Sequence, residues 1–314
     1  MNQVNVTPSL EDLAQLLEKS AEYQVVRHFD AKAAGRQRLS PVPANASLGL
    51  VLDTETTGKK PTDKIVELGM VKFAYNALTG AIYGVVDTFN QLEDPGMPMH
   101  PAASAVNGIT DDMLVGQRID DDQVNAMVAD VDFVVAHNSD FDRPKTEARF
   151  PVFKDKAWAC SMRQVDWPSE GISSAKLEYI AYRQGFFFDA HRADADCMAL
   201  LNVLGKPMAS LDGQPALMGL LNNYLQPSSK IYAVNAHFDT KDILKDRGYR
   251  WNDGVAPGSI KAWSVDVEGD ALQDELAWLK ATIYGGRSFA LPVDQVDAYT
   301  RFSTRNGNRQ TCYL

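Results

Sequence analysis

From residue 48 onward the chain carries apolar runs too short for helices and too continuous for half-exposed strands, and these constrain the fold more than any other feature. Residues 48–52 and Phe133–Ala136 are almost unbroken apolar segments of four or five residues, the pattern of strands covered on both faces. Ile65–Tyr75 and residues 82–89 read as two further strands joined by a turn at Leu78-Thr79-Gly80. Helical stretches follow near residues 101–106, Asp121–Val128, after Asp140, near 175–184 and over Ala193–Leu204, with another apolar stretch at 158–165. Three strands followed by strand–helix alternation predict an α/β layered domain around a mixed sheet over residues 48–205.

The flanks read differently. Ser9 and Asp12 have capping-box spacing, and Leu10, Leu13, Leu16 and Leu17 follow at helical period. A short strand at 23–29 and a linker at 30–46 complete an N-terminal segment, 1–47. Residues 206–227, with Pro207, Gly213, Pro215 and Gly219, read as a partly helical connector. A second, smaller α/β module is expected over 228–314, with strands at 231–236, 262–267 and 289–291 and helices at 240–246 and 272–284. The tail holding Arg301, Arg305, Gly307 and Arg309 lacks an apolar period and is expected to be ordered only by contact.

With 314 residues, 45% of them hydrophobic, the chain can bury a substantial core. No run of about 18 uncharged apolar residues is present, and the first 30 residues carry acids where a signal peptide needs a basic start. The expectation is a soluble, cytoplasmic protein with no membrane association. Cys160, Cys197 and Cys312 are an odd set without close pairing, which suits buried thiols in a reducing compartment. The net charge of −10 argues against a generally basic, phosphate-binding surface. Residues 206–314 hold 12 Lys and Arg against 12 Asp and Glu, so the acidity lies in residues 1–205, where bound divalent cations would restore attraction for phosphate.

Asp53 and Glu55 stand at i and i+2 after the first apolar run, in LVLDTETTG. Alternation puts both carboxylates on one face at the strand's carboxyl end, where ligands of open α/β sheets collect. Two hard carboxylates there suit Mg²⁺ or Mn²⁺, although a solvated strand end gives the same pattern. In HNSDFD, the strand Phe133–Ala136 runs into Asn138 and a helix starting near Asp140; Asp140 reads as a helix cap and Asp142 as a metal ligand in the first turn. In HRADAD, His191 and Asp196 are five residues apart, roughly 140° around a continuous helix. His191 must therefore precede the helix if the two act together.

Asp53, Glu55, Asp142, His191 and Asp196, in this order and spacing, resemble the DEDDh (DnaQ-like) exonuclease family, which includes the proofreading epsilon subunit of bacterial DNA polymerase III. The resemblance covers about residues 48–205. It implies an RNase H-like mixed five-stranded sheet flanked by helices and two Mg²⁺ or Mn²⁺ ions. Asp53 would bridge them, Glu55 and Asp196 would support the site of the attacking water, and Asp142 would hold the second ion. Two cations about 4 Å apart can clamp the attacking and leaving oxygens of a phosphoryl group, and a histidine can take a proton near neutral pH. NGIT, residues 107–110, resembles the loop that lies against the terminal nucleotide in this family, with Asn107 where histidine is common. Asn107, Ile109 and Asn138 are thus candidates for binding substrate. Thr54 and Thr57 are further candidates, and equally suit a strand end.

The C-terminal module contains KDILKDRGYRWNDG and resembles a small accessory module of some exonuclease X-like proteins. Lys241, Lys245, Arg247, Tyr249, Arg250 and Trp251 interleave cations and aromatics that could contact single-stranded nucleic acid; packing or partner docking fits the same residues. The functional expectation is a 3′-to-5′ exonuclease on DNA, at single-stranded or frayed ends, releasing nucleoside 5′-monophosphates and serving DNA repair. RNA 3′-end trimming is the alternative within the family. Outside catalysis, the alternative is a silent binding subunit of a polymerase or repair complex.

Overall fold

A computed structural model describes residues 8–255, 259–269, 271–305 and 307–313. In chain order its elements are α1 (Leu10–Glu18), β1 (Arg27–His28), α2 (Ala31–Arg36), β2 (Ser47–Thr56), β3 (Ile65–Tyr75), β4 (Ile82–Leu92), α3 (Pro101–Asn107), α4 (Asp111–Leu114), α5 (Asp121–Val128), β5 (Phe133–Ala136) and α6 (Ser139–Arg149). There follow β6 (Ala157–Cys160), α7 (Ser161–Gln164), α8 (Leu177–Arg183), β7 (Phe186–Phe187), α9 (Ala193–Leu204) and α10 (Ala216–Tyr224). The remainder is β8 (Ser228–Ala233), α11 (Lys241–Asp246), β9 (Arg250–Asn252), β10 (Ala262–Glu268), α12 (Ala271–Trp278), β11 (Ala290–Val296) and β12 (Asn308–Tyr313).

The apolar runs become a five-stranded mixed sheet of order β4-β3-β2-β5-β6. β2, β3 and β4 pair antiparallel, whereas β5 lies parallel to β2 and β6 parallel to β5. Strand alternation splits the side chains between two cores. Val51, Phe73, Phe133 and Val135 face α8, α9 and α10; Leu50, Leu52, Met70 and Val134, with Trp158 beside Val134 on β6, pack against α5. This is the RNase H-like layering expected from the sequence. α9 reaches β3 closely because position 69 is glycine: a Cβ there would stand 2.4 Å from the carbonyl carbon of Ala193. Gly69 is in register with Asp53, so this close approach brings the start of α9 to the level of the first carboxylate.

The second sheet, of order β12-β11-β8-β10-β9, is wholly antiparallel. Its core joins Ile231, Leu244, Leu276, Leu279 and Val293. The tail forms β12 and pairs with β11 from Ala290↔Tyr313 to Gln295↔Asn308. As an edge strand it carries little apolar period, yet its Arg309 is tied to Asp294 at 2.7 Å. Residues 30–46 include α2, whose Ala31 and Ala34 pack on the first core, and the expected connector contains α10, whose Leu217 and Leu220 are fully buried there. The fully buried Arg143 on α6 links the two sheets' units by donating to the carbonyls of Ala298 at 3.0 Å and Arg301 at 2.7 Å. Among the described residues no helix is long and apolar enough to cross a membrane.

Candidate active site

The carboxyl end of β2 presents Asp53 and Glu55 on the same face, and α9 supplies Asp196. One carboxylate oxygen from each lies within 4.8 Å of the others, and all three residues are partly exposed. Asp142, in the first turn of α6, is 2% exposed. Its Oδ1 accepts from the Thr54 amide at 3.1 Å and the Thr54 hydroxyl at 2.7 Å, which fixes it against β2 beside Asp53. His191 precedes α9, as the spacing required, with φ 70°. The amides of His191 and Arg192 both donate to Asp196 Oδ2, at 2.8 and 3.0 Å. The His191 ring is half exposed, with Nε2 3.7 Å from Glu178 Oε1.

Four carboxylates in one hollow raise one another's proton affinity. Burial, then repulsion from Asp142, Asp196 and Glu55, pushes the Asp53 carboxyl well above the ordinary range. Burial pushes Asp142 up to about 7 against the pull of the two Thr54 bonds. Asp196 is likewise pushed up to about 7, by burial and by Glu55, and burial also raises Glu55. The protein alone cannot comfortably charge this set. A cluster of hard oxygen donors whose ionisation is opposed by burial and mutual repulsion fits divalent cations, which would neutralise it.

Glu67 was not among the residues singled out in the sequence. It is fully buried on β3, in register with Glu55, and is held by Arg192 at 2.7 Å, by the Ala193 amide at 3.3 Å and by Asn90 at 2.9 Å. It thus ties the first residue of α9 to the sheet between His191 and Asp196. The available signal was an acid inside an otherwise almost entirely apolar strand, IVELGMV.

Other expectations need correction. Asp140 does not cap α6: the N-cap is Asn138, with φ 84° and no side-chain cap bond. Asp140 instead pairs with Arg163 and Arg250, because its position on α6 faces the junction with the second sheet. Ile109 is fully buried beside Val66, Met99 and Leu114, so its side chain is packing rather than a substrate contact. Asn107 donates to Glu55 at 3.1 Å and accepts from the Ile109 amide at 3.0 Å. The Thr57 hydroxyl accepts from the Lys64 amide at 3.1 Å, and Thr54 is committed to Asp142. Of the four polar substrate candidates, only Asn138 makes no side-chain hydrogen bond to the described residues, and it is partly exposed.

The six accessory residues also separate. Tyr249 is 3% exposed, and its hydroxyl donates to Glu275 at 2.9 Å. Arg247 pairs with the same carboxylate at 2.8 Å and lies over Trp278. Lys241 lies over Phe238 and Lys245 over Trp263. Arg250 and Trp251 face the junction between the two sheets' units. Tyr249, between Gly248 and β9, turns into the core, whereas Arg250 and Trp251 on β9 are exposed.

The Exonuclease family model matches residues 50–204. The DNA polymerase III subunit epsilon of Treponema pallidum (strain Nichols) is 32% identical over 167 residues, covering 48% of this chain and 74% of that protein. Exonuclease X, solved in complex with 5′-overhanging duplex DNA, is similar at 27% identity and a TM-score of 0.37 over 52% of this chain and 99% of its own. Escherichia coli Exonuclease I, solved with a dA16 oligonucleotide, is similar at 15% identity and a TM-score of 0.47 over 75% of this chain and 71% of its own.

Proposed function

This chain belongs to the DEDDh (DnaQ-like) family of 3′–5′ exonucleases, and from that premise we propose that it removes nucleotides one at a time from DNA 3′ ends, single-stranded or frayed, using two divalent cations. The observation that carries the proposal is the convergence of Asp53, Glu55 and Asp196 within 4.8 Å, with Asp142 fixed to the adjoining Thr54. Asp53, Glu55 and Asp196 would hold one Mg²⁺ or Mn²⁺ and Asp53 with Asp142 the other. Bound there, the cations would offset charge on the scissile phosphate and the departing 3′ oxygen. Thr54 keeps Asp142 turned toward Asp53. Asp196 holds the loop that carries His191, and His191 Nε2 takes the proton of the attacking water as the P–O3′ bond breaks. The product is a nucleoside 5′-monophosphate. Parallel digestion of 5′-labelled DNA and RNA strands tests the choice of sugar: preferential shortening of RNA would replace DNA as the substrate.

Cation binding should depend on pH in a defined direction. Asp142 and Asp196, pushed up to about 7, hold protons in the metal-free folded protein that the unfolded chain releases near pH 4. Their folded pKa is raised, so their stabilising contribution is present at low pH and lost as pH rises through about 7. Cations displace those protons. The increase in Tm on adding Mn²⁺ is therefore expected to be larger at about pH 8 than at about pH 6; an equal increase at both would contradict the assignment.

Glu67 is expected to act as a positioning residue. Glu67→Gln removes the charge that holds Arg192 and should lower kcat by roughly ten- to a hundredfold with little change in KM, the scale of loss for groups that orient metal ligands. Steady-state kinetics with saturating cation decides this: a variant with wild-type kcat would leave Glu67 a purely structural pairing.

A further inference from the structure

A cleft of about 640 Å³ opens between the first sheet's helices and the face of β8, β9 and β10. It reaches Asp140, which shares the first turn of α6 with Asp142 but, two residues away, lies on nearly the opposite face of that helix. Two guanidinium groups from different units converge there on a single oxygen, Asp140 Oδ2: Arg163 from α7 and Arg250 from β9, the latter at 3.5 Å. The Arg250 side chain is 67% exposed. Beside it Trp251 is 52% exposed, with its ring 5.6 Å from that of Trp263. Lys230 lines the same cleft and has no ion pair recorded among the described residues. Phe302, also in the lining, holds φ 68°, a backbone conformation that bulky residues rarely adopt and that tends to mark functional places.

We propose that this cleft binds the single strand on the 5′ side of the scissile bond, with a base stacked on Trp251 and a phosphate taken by Arg163 and Arg250 in place of Asp140. The inference rests on the exonuclease reading of the catalytic hollow. An enzyme that removes a 3′-terminal nucleotide must let the rest of the strand leave past the catalytic carboxylates, and this cleft opens on the other side of the α6 turn that carries Asp142. Carboxylates also line it, Asp266 lying 3.7 Å from Arg163, so net positive charge does not hold the strand. Stacking and a pair of guanidiniums do, as is usual for sequence-tolerant binding of single strands. Few phosphates are then neutralised, and the salt dependence is shallow.

The test compares a thymidine dinucleotide, too short to reach the cleft, with a strand of about twenty nucleotides, each with Mn²⁺, for wild type and for Arg250→Ala/Trp251→Ala. The ratio of long-strand to dinucleotide kcat/KM should fall about tenfold or more in the double variant. The slope of log KM against log salt for the long strand should flatten by about 0.7 for each phosphate that the variant no longer neutralises. Trp251→Phe, which keeps a stacking face, should recover most of the ratio. An unchanged ratio and slope would overturn the proposal. So would an equal loss on both substrates, since the two residues would then act on the catalytic helix through Asp140. A wild-type protein that cleaves neither substrate would fail the exonuclease reading itself, a result distinct from either of these.

Discussion

Asp53→Asn protein is expected to lose hydrolysis by about three orders of magnitude or more while its metal-free form melts at the same temperature as wild type or higher. The two effects share one cause. Asp53 lies where burial and four neighbouring carboxylates oppose its ionisation, so replacing it with a neutral amide of the same shape relieves repulsion that the fold otherwise carries. The same replacement removes the donor common to both proposed cations, and the charge of the scissile phosphate is then left uncompensated in the transition state. A residue kept for stability would behave in the opposite way. Glu55→Gln, Asp142→Asn and Asp196→Asn should follow in activity. Asparagine is preferred to alanine at 142 and 196 because each carboxylate accepts two hydrogen bonds, and orphaning those donors would add roughly 1–3 kcal/mol of unrelated destabilisation. Near-wild-type turnover by a folded variant would remove that residue from the site.

His191→Ala is expected to lower kcat by about 10²- to 10⁴-fold, the usual contribution of a general base, while the increase in Tm on adding Mn²⁺ persists. The imidazole is half exposed and makes no side-chain hydrogen bond within the site, its nearest acid being Glu178, so its loss should leave the four carboxylates in place. Only a neutral imidazole accepts a proton; the wild-type rate at saturating cation should therefore fall on the acid side of its profile. With the cations bound, the carboxylates no longer titrate there, and the variant should lose that limb of the profile. An unchanged profile in His191→Ala would mean that another group takes the proton.

What the sequence made legible follows from how locally each feature is encoded. β3, α5, β5 and α9 fall where residue pattern alone puts them: strands covered on both faces are unbroken apolar runs, α5 is capped by Asp120, and α9 is a long, largely buried apolar helix. Helical geometry alone required His191 to precede the helix that bears Asp196. What the sequence hid are relations across space. Glu67 matters because strand register sets it opposite Glu55 and an arginine 125 residues later reaches it. Asp140 looked like a cap because only the folded chain brings Arg163 and Arg250 to it. Tyr249 and Arg250 are neighbours in the chain, yet one is core and the other surface: Tyr249 precedes β9 and is tied to Glu275, while Arg250 opens β9, a strand of three residues too short to show a period. The tail hid β12 for the converse reason: almost every side chain of this edge strand is exposed, so no buried face exists to impose the apolar alternation that would reveal it.

The central claim is tested most directly by following a 5′-labelled single strand of DNA with purified protein, with Mn²⁺ and with the cation chelated. A ladder of strands shortened from the 3′ end one nucleotide at a time is expected, with release of nucleoside 5′-monophosphates, no reaction on chelation and no ladder with Asp53→Asn. A strand left intact in Mn²⁺, a label released at the first cleavage, or shortening that persists with the chelator or in Asp53→Asn would contradict that claim.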